Sequence, residues 1–294
     1  MKLLIIDGNN LLHRVYWVAK KQENYNINYV VLNFLKSIRY DFDKFKSDKI
    51  ICTWDKKLQT HSSNFRIDES NHDYKATRIK NDEIYEATYI IDDFLETLGI
   101  KVMYPGCLEA DDIMHYISTK NTDENIIVSS DRDILQLVNE YTKIYNPIKK
   151  IIYNKDNFES LIGNSVKDFV LIKAIMGDNS DNIKGLHGYG IKRAKKLIQH
   201  PEKITDEQMI IIEKNLKLID LSKGWQVNEP QEEYIYREQY NKEWPTPNKD
   251  KFYQLCNENS INSILFYKKY WDIFFENKIQ NTSNTINKNF QFLL

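Results

Sequence analysis

The chain has 294 residues, 41% of them hydrophobic, and a formal net charge of −1, which is typical of a globular protein with one large or two modest domains. Its three cysteines are widely spaced and odd in number, which argues against a disulfide framework. No apolar run approaches the roughly 20 residues of a membrane span, and the first ten residues become acidic too early for a signal peptide. These features predict a soluble cytoplasmic protein.

Three short apolar segments are predicted to be buried strands of a parallel sheet, and each leads directly to acidic side chains. Because the carboxyl ends of parallel strands meet at one edge of a sheet, these acids are expected to lie close together. Carboxylates gathered in this way suit a divalent metal ion. The strands and their acids are residues 2–6 with Asp7, residues 49–54 with Asp55, and residues 124–130 with Asp131 and Asp133.

A further predicted strand, residues 100–105, precedes a helix that opens with Glu109, Asp111 and Asp112. Acids in a first turn are stabilised by the helix dipole, so helix capping explains part of this pattern. Three acids within four residues exceed that need, and their repulsion has to be relieved by a cation or by protonation. We therefore expect them to join the same metal site.

Residues 177–196 combine acids, glycines and cations. Asp178 and Asp181 come first and extend the acidic set. Glycines before a helix leave backbone N–H groups that can bind an anion, and cations beside them suit a phosphate. The stretch indicates a metal site next to a nucleic-acid backbone; a surface loop leading into an ordinary amphipathic helix is the alternative. The residues concerned are Gly185, Gly188, Gly190, Lys192, Arg193, Lys195 and Lys196.

The charge distribution agrees with a nucleic-acid substrate. Nine acids are predicted to bind metal, and without them the formal net charge of −1 becomes +8. A basic surface around an acidic pocket suits a phosphodiester brought to a divalent ion. The nine acids are Asp7, Asp55, Glu109, Asp111, Asp112, Asp131, Asp133, Asp178 and Asp181.

The rest of the chain is predicted to be mainly helical, with one further strand pair. Helices are expected over residues 11–20, 29–45, 81–98 (ended by Gly99), 155–162 and 165–176 (capped by Ser165), and strands over 143–146 and 150–153. Residues 56–80 are expected to be irregular. Beyond residue 199 the chain is predicted to be helical, with core aromatic residues Trp225, Trp244, Tyr253, Phe266 and Trp271.

Within the irregular stretch, Lys75 and Arg78 lie three residues apart beside Tyr74. This grouping suits a phosphate with a base stacked alongside, and a solvated polar loop is the alternative interpretation.

At the end of the chain, a polar, Asn-rich segment leads to a short apolar tip. Such a tip suits a hydrophobic groove on a partner protein. Its residues are Phe290, Phe292, Leu293 and Leu294.

Seven motifs in this order resemble the structure-specific 5′-nuclease family: flap endonucleases, the 5′-nuclease domain of bacterial DNA polymerase I and stand-alone bacteriophage 5′→3′ exonucleases. The resemblance covers about residues 1–200 and fades beyond them. The motifs are IIDGNN (5–10), TWD (53–55), FR with YKATR (65–66 and 74–78), LEADD (108–112), SSDRD (129–133), IMGDNSDN (175–182) and GLHGYGIKRA (185–194).

The resemblance implies an α/β fold of the PIN-like 5′-nuclease type, with a central, mainly parallel sheet between helices. A nuclease core would span residues 1–162, with a short arch at 76–98. A helix–three-turn–helix segment and a helical region would span 163–275, and a linker with an apolar tail 276–294. The short arch puts the threading of a flap in doubt.

The resemblance also implies the roles of individual residues. The nine acids match positions that hold two or more Mg²⁺ or Mn²⁺ ions, with Asp7, Asp133 and Asp178 central to catalysis. Lys75 and Arg78 match the basic pair at the scissile phosphate. Tyr74 matches the aromatic residue beside that pair, and Arg14 a basic residue near the mouth of the site. Segment 183–196 matches the element that binds duplex phosphates, commonly with K⁺ on its loop carbonyls.

The implied activity is metal-dependent hydrolysis of phosphodiester bonds at 5′ flaps, nicks or junctions, by 5′→3′ exonuclease and flap endonuclease action. RNA–DNA hybrids, as in an RNase H activity, are compatible substrates. The stand-alone length and AT-rich composition suggest a phage replication enzyme, monomeric and acting in the host cytoplasm. The apolar tail would bind a sliding clamp or single-strand-binding protein. A PIN-type ribonuclease and a catalytically weak junction-binding module are the alternatives.

Overall fold

The structure is a computed structural model that describes residues 1–23, 25–55, 65–70, 73–76 and 82–276. Arg78, the first part of the predicted arch and the apolar tail lie outside these ranges. Among the described residues, no helix is long and apolar enough to cross a membrane.

A six-stranded sheet forms the centre of the molecule, in the order β3-β2-β1-β4-β5-β6. The first five strands are parallel and β6 is antiparallel to β5. The predicted mainly parallel sheet is therefore confirmed. The strands are β1 (Lys2–Asp7), β2 (Lys49–Thr53), β3 (Lys101–Met103), β4 (Glu124–Val128), β5 (Thr142–Asn146) and β6 (Ile151–Tyr153).

Helices cover both faces of this sheet, which explains why β1 is apolar from Leu3 to Ile6. Leu4 and Ile6 belong to the core under one helical layer, while Leu3 and Ile5 belong to the core under the other. A strand buried on both faces gains from apolar side chains at every position rather than at alternate ones. The first six helices are α1 (Gly8–Ala19), α2 (Ile27–Phe45), α3 (Phe65–Glu69), α4 (Asp82–Thr97), α5 (Ala110–Lys120) and α6 (Phe158–Ile162).

From residue 166 to residue 274 the described chain is mainly helical, as predicted beyond residue 199, and it packs back onto the core. Tyr236 in α10 stacks edge-on against Tyr116 in α5, and Phe252 in α11 against Phe94 in α4. The division of the chain after residue 162 stays a prediction. The helices are α7 (Val166–Met176), α8 (Ile191–Gln199), α9 (Asp206–Ile219), α10 (Leu221–Asn241), α11 (Lys249–Glu258) and α12 (Asn262–Phe266), followed by a 3-10 helix, Lys268–Phe274.

Side chains and glycines set the ends of these helices. Ser165 accepts a hydrogen bond from the backbone N–H of Asp168 at 3.1 Å, so the predicted cap of α7 is confirmed. Gly99 follows α4 with φ of 73°, a left-handed value that glycine adopts without strain. The helix expected to begin at residue 155 instead begins at Phe158, because the Asn154 side chain accepts bonds from the next N–H groups and holds them in a turn.

Two sequence-based expectations are wrong. Part of the segment expected to be irregular forms α3, which carries the buried Arg66. Phe266, expected in the core, is 83% exposed, whereas Trp271 and Tyr253 are buried as expected. The periodicity of apolar residues gives no indication of which side of a short terminal helix meets the core, because the packing partner decides it.

The glycine stretch folds as a close backbone crossing. A two-residue strand, β7 (Gly177–Asp178), pairs antiparallel with β8 (Ile183–Lys184). A Cβ on Gly185 would lie 2.1 Å from the carbonyl of Met176, and Gly177 has φ of 76°. Gly185, predicted to contact DNA, therefore has a packing role in this structure.

We expect Gly185→Ala to destabilise the protein by about 1–3 kcal/mol or more, because the added methyl group overlaps a backbone carbonyl that has little room to move. Gly190→Ala is the matched control, since a Cβ at Gly190 would meet nothing within 4 Å. Urea unfolding of both variants measures the difference. Equal stability of the two would contradict the packing role.

Candidate active site

Eight of the nine predicted acids line one cavity of about 920 Å³ at the carboxyl edge of the sheet. β1, β2 and β4 end at this edge, and the first turn of α5 and the β7–β8 crossing complete its wall. The topology therefore brings together carboxylates that are as many as 174 positions apart in the chain. The eight are Asp7, Asp55, Glu109, Asp111, Asp131, Asp133, Asp178 and Asp181.

Asp7 lies at the centre of this edge and is held by two donors. Its Oδ1 accepts from the backbone N–H of Asn10 at 3.0 Å, and its Oδ2 accepts from the hydroxyl of Ser129 at 2.6 Å. Burial raises the pKa of Asp7 to about 7, and the charges of Asp131 and Asp55 add to that rise, although both hydrogen bonds oppose it. The carboxylate is fixed in place but disfavoured as an anion without a cation.

The two asparagines after Asp7 connect the ends of neighbouring strands. Asn9 accepts a hydrogen bond from the backbone N–H of Asp55 at 3.0 Å, and Asn10 accepts from the backbone N–H of Ser130 at 3.0 Å. These bonds align the acids that follow β1, β2 and β4. Both asparagines belong to the motif IIDGNN, but the sequence alone gives them no function, since only the strand order brings these segments together.

Asp111 and Asp55 form the side of the site next to α5. The carboxylate of Asp55 accepts a hydrogen bond from the backbone N–H of Ala110 at 2.8 Å. Burial raises the pKa of Asp111 well above its ordinary value, and the charges of Asp131, Asp7 and Asp55 raise it further. An all-oxygen cluster under this repulsion fits hard divalent cations such as Mg²⁺ or Mn²⁺.

A second acidic group consists of Asp133, Asp178 and Asp181, whose nearest oxygen atoms all lie within 4.8 Å of one another. Lys173, on α7, makes an ion pair with Asp133 and another with Asp178 at 2.6 Å. Although burial opposes ionisation, hydrogen bonds from Lys173 and Ser180 lower the pKa of Asp178 to about 2. Sequence analysis did not assign Lys173 to the site, although it lies five residues before Asp178.

Lys75 reaches the cavity from a strained backbone position. Its φ is 55°, and its backbone N–H donates to the carbonyl of Asp181 at 3.1 Å. Its ammonium donates to Glu109 at 2.8 Å. Despite burial, Lys75 and Arg66 lower the pKa of Glu109 to about 2. The cation of Lys75 thus lies among the acids, where an anionic substrate would enter.

The prediction that Tyr74 contacts DNA requires correction. Its side chain is only 6% exposed and packs with Ile172 and Leu186, and its hydroxyl donates to Glu109 at 3.0 Å. The ring therefore has no face available to a base. It supports the glutamate instead.

Asp112 also differs from its predicted role as a metal ligand. It is completely buried, does not line the cavity, and receives two hydrogen bonds from Arg66, at 2.6 and 2.8 Å. Arg66 also donates to the carbonyl of Leu218 at 2.9 Å, which connects α3, α5 and α9. The pattern LEADD gives no sign of this difference, because Asp111 and Asp112 point to different sides of α5.

Cations of α8 face outward beside the cavity. Lys192, Arg193 and Lys196 are exposed, and Gly190 caps the amino end of the helix without a side chain. Lys195 is half-buried, and its ammonium donates to the carbonyl of Gly163 at 2.5 Å. The guanidinium of Arg193 donates to the carbonyl of Gly188 at 2.9 Å. Exposed backbone N–H groups and cations at one helix end suit a phosphate.

Arg14 does not line the cavity. Burial lowers the pKa of Arg14, while the charges of Asp41 and Asp7 act in the opposite direction. Its side chain is half-buried, and its place near the mouth of the site stays a prediction. Arg78, Phe290, Phe292, Leu293 and Leu294 lie outside the described residues.

Comparison with known proteins identifies the family. A family model described as "5′-3′ exonuclease, N-terminal resolvase-like domain" matches residues 2–163. The chain belongs to the 5′-3′ exonuclease family. A 5′-3′ exonuclease of Mycoplasmopsis pulmonis is 34% identical over 213 residues, covering 70% of this chain and 69% of that protein. One of Bacillus subtilis is 31% identical, covering 69% and 71%.

The fold agrees with that of solved nucleases. A bacteriophage T5 flap endonuclease, in a pseudo-enzyme–product complex with DNA and metal ions, superposes with a TM-score of 0.67 at 20% identity. The match covers 82% of this chain and 98% of the T5 chain. The PIN-like 5′-nuclease fold expected from the sequence is therefore confirmed, and this 5′-3′ exonuclease is a hydrolase of phosphodiester bonds.

Neutralising Asp111 and Asp112 is expected to have opposite effects on stability in EDTA. The pKa of Asp111 in the folded protein lies above its ordinary value of 3.8, so folding takes up a proton. The stability of the protein therefore falls as the pH rises above 3.8. Asp111→Asn removes this cost, so it should stabilise the protein at pH 8 and have little effect near pH 4. Asp112→Asn leaves the buried Arg66 without its bidentate partner and should destabilise by about 3–5 kcal/mol.

Urea unfolding of both variants at the two pH values measures these effects. The two asparagine variants are matched controls for each other, because they are adjacent and chemically identical changes. Destabilisation by Asp111→Asn at pH 8 would contradict the repulsion described for the cavity.

Proposed function

We propose that this 5′-3′ exonuclease acts at junctions of single-stranded and duplex DNA, including 5′ flaps and nicks, and leaves 5′-phosphate and 3′-hydroxyl ends. The observation that carries the proposal is the group of eight acids that face one cavity beside Lys75 and the cationic helix α8. The acids suit metal ions at the reacting phosphate, and the helix suits the duplex backbone. The complex of the T5 flap endonuclease with DNA supports this substrate class.

Mg²⁺ is proposed as the cofactor, with Mn²⁺ as a substitute. Asp133, Asp178 and Asp181 would hold one ion, and Asp7, with its neighbours along the sheet edge, another. Bound by these residues, divalent ions would supply an activated water and a positive charge for the leaving oxygen of an in-line displacement. Ser129, Asn9 and Asn10 keep the carboxylates in register while Asp112 stays in its pair with Arg66.

Lys75 and Arg78 are proposed to bind the scissile phosphate. Lys75 pairs with Glu109 in the structure, so its ammonium is held within the cavity before the substrate enters. A cation fixed at that position neutralises the charge that develops on the phosphoryl oxygens. Lys192, Arg193 and Lys196 would bind the duplex backbone, with K⁺ on carbonyls of the loop 185–190.

Cleavage of a 5′-labelled flap duplex, with nicked and blunt duplexes for comparison, tests the reaction. We expect cutting near the junction in Mg²⁺ and none in EDTA. Asp133→Asn should lose most of the activity and keep the fold, because Asp133 belongs to the second acidic group. Binding without any cutting would make the chain a junction-binding protein and reject the proposal.

Lys75→Ala should lower turnover by about 10²-fold and duplex affinity far less, because its charge acts mainly on the transition state. Lys143→Ala is the control, since Lys143 pairs with Glu124 at the opposite edge of the sheet. Single-turnover cleavage and equilibrium binding separate the two effects. A loss confined to affinity would reject a catalytic role for Lys75.

The apolar tail is proposed to bind a sliding clamp or a single-strand-binding protein during replication. Deleting residues 286–294 should leave cleavage of short oligonucleotides intact and abolish stimulation by the clamp. Stimulation that survives the deletion would dismiss this role.

RNA–DNA hybrids are a further proposed substrate. Replacing the 5′ strand with RNA in the flap-cleavage assay tests this proposal.

A further inference from the structure

Five consecutive residues where α12 ends and the final 3-10 helix begins, Phe266 to Tyr270, are exposed. Three of them are aromatic, with exposed fractions of 83% for Phe266, 62% for Tyr267 and 61% for Tyr270. Large aromatic side chains exposed side by side are uncommon on a soluble protein and mark interaction sites. The rings of Tyr267 and Tyr270 lie 6.1 Å apart between centroids.

The segment that carries these exposed rings is itself packed firmly against the core. Trp271 and Phe274, in the same 3-10 helix, are buried, and they stack on Phe252 and Phe42 at centroid distances of 5.3 and 5.1 Å. The inner side chains thus anchor the helix to the core. The outer rings are presented on a fixed support.

Three cations belong to the same surface. The guanidinium of Arg39, on α2, lies 5.5 Å from the Tyr270 ring centroid. Lys268 and Lys269 are exposed in the same segment as the rings, and the Lys268 ammonium lies 4.6 Å from the ring centroid of Tyr253. In the described part of the chain, no ion pair involves any of these three cations. The nearby Asp272 carboxylate is already paired with Lys249 at 2.7 Å.

We propose that Arg39, Phe266, Tyr267, Lys268, Lys269 and Tyr270 form a second binding site, for single-stranded nucleic acid. Aromatic faces stack with bases of any sequence, and cations beside them bind the phosphates. None of the six residues lines the catalytic cavity, so the site is separate from the acids. We call these six residues the aromatic–basic surface.

The arrangement of charge favours nucleic acid over a protein partner. Protein–protein interfaces are depleted of lysine at their centre and place charge at the rim. Here two exposed lysines belong to the same five-residue segment as the three aromatic side chains. A single strand offers both bases and phosphates, so a surface that carries exposed rings together with cations matches its chemistry.

Binding of a fluorescent dT20 single strand in EDTA, followed by anisotropy, tests the proposal without cleavage. Tyr267→Ala with Tyr270→Ala should weaken binding at least about 5-fold, because each ring lost removes one stacking contact. Tyr141→Ala with Tyr234→Ala is the matched control, since both residues are exposed tyrosines elsewhere on the surface. Replacing Tyr267 and Tyr270 by phenylalanine should preserve binding, because stacking needs only the ring.

Salt dependence tests the cations independently of the rings. Lys268→Ala with Lys269→Ala should reduce the slope of log K against log salt by about 1.4, if each lysine neutralises one phosphate of a single strand. Cleavage of a short flap duplex by all these variants should equal that of the unmodified protein. This result would separate the aromatic–basic surface from the catalytic site.

Unchanged dT20 affinity and an unchanged salt slope in the tyrosine and lysine variants would overturn the proposal. Photocrosslinking of a 5-iodouracil strand to the unmodified protein locates the contact directly and does not depend on any variant folding. Crosslinks at Tyr267 or Tyr270 are expected. Crosslinks confined to the catalytic cavity would also overturn the proposal, whether or not the protein cleaves DNA.

Discussion

Mutual repulsion among eight carboxylates is the constraint on which the rest of this structure depends. A parallel sheet brings the acids to one edge, where burial makes the charges of Asp7 and Asp111 costly. Glu109 and Asp178 are paired with lysines instead. The raised pKa values of Asp7 and Asp111 mean that the fold places both carboxylates where their ionised forms are destabilised. A cluster of this kind suits divalent cations, which would offset the cost in the proposed reaction at a phosphate.

Three cations of the chain balance part of that charge, each in a different way. Arg66 forms a buried bidentate pair with Asp112 and connects three helices behind the site. Lys173 lies between Asp133 and Asp178, and Lys75 pairs with Glu109 from a strained backbone position. Arg66 has a structural function, whereas the two lysines lie where a substrate or a metal ion changes their surroundings.

The sequence predicted the sheet, most helices and eight cavity acids, because apolar strands and the acids at their ends are local features. It failed where a residue's partner is distant in the chain. Asp111 and Asp112 are adjacent and chemically alike, yet only Asp111 lines the cavity, since Arg66 occupies the other side of α5. Tyr74 looked suited to stacking and is buried, while Phe266 looked suited to the core and is exposed.

By itself, the sequence determined the chemistry of this protein. It shows which acids end the strands, where glycines allow a close backbone approach and which cations follow those glycines. The tertiary structure decided how each group is used. Gly185 packs because another backbone crosses 2.1 Å from where its Cβ would lie, and Gly190 has open space around it. Composition and periodicity can be read from the order of residues along the chain. Burial and pairing depend on contacts that exist only after the chain has folded.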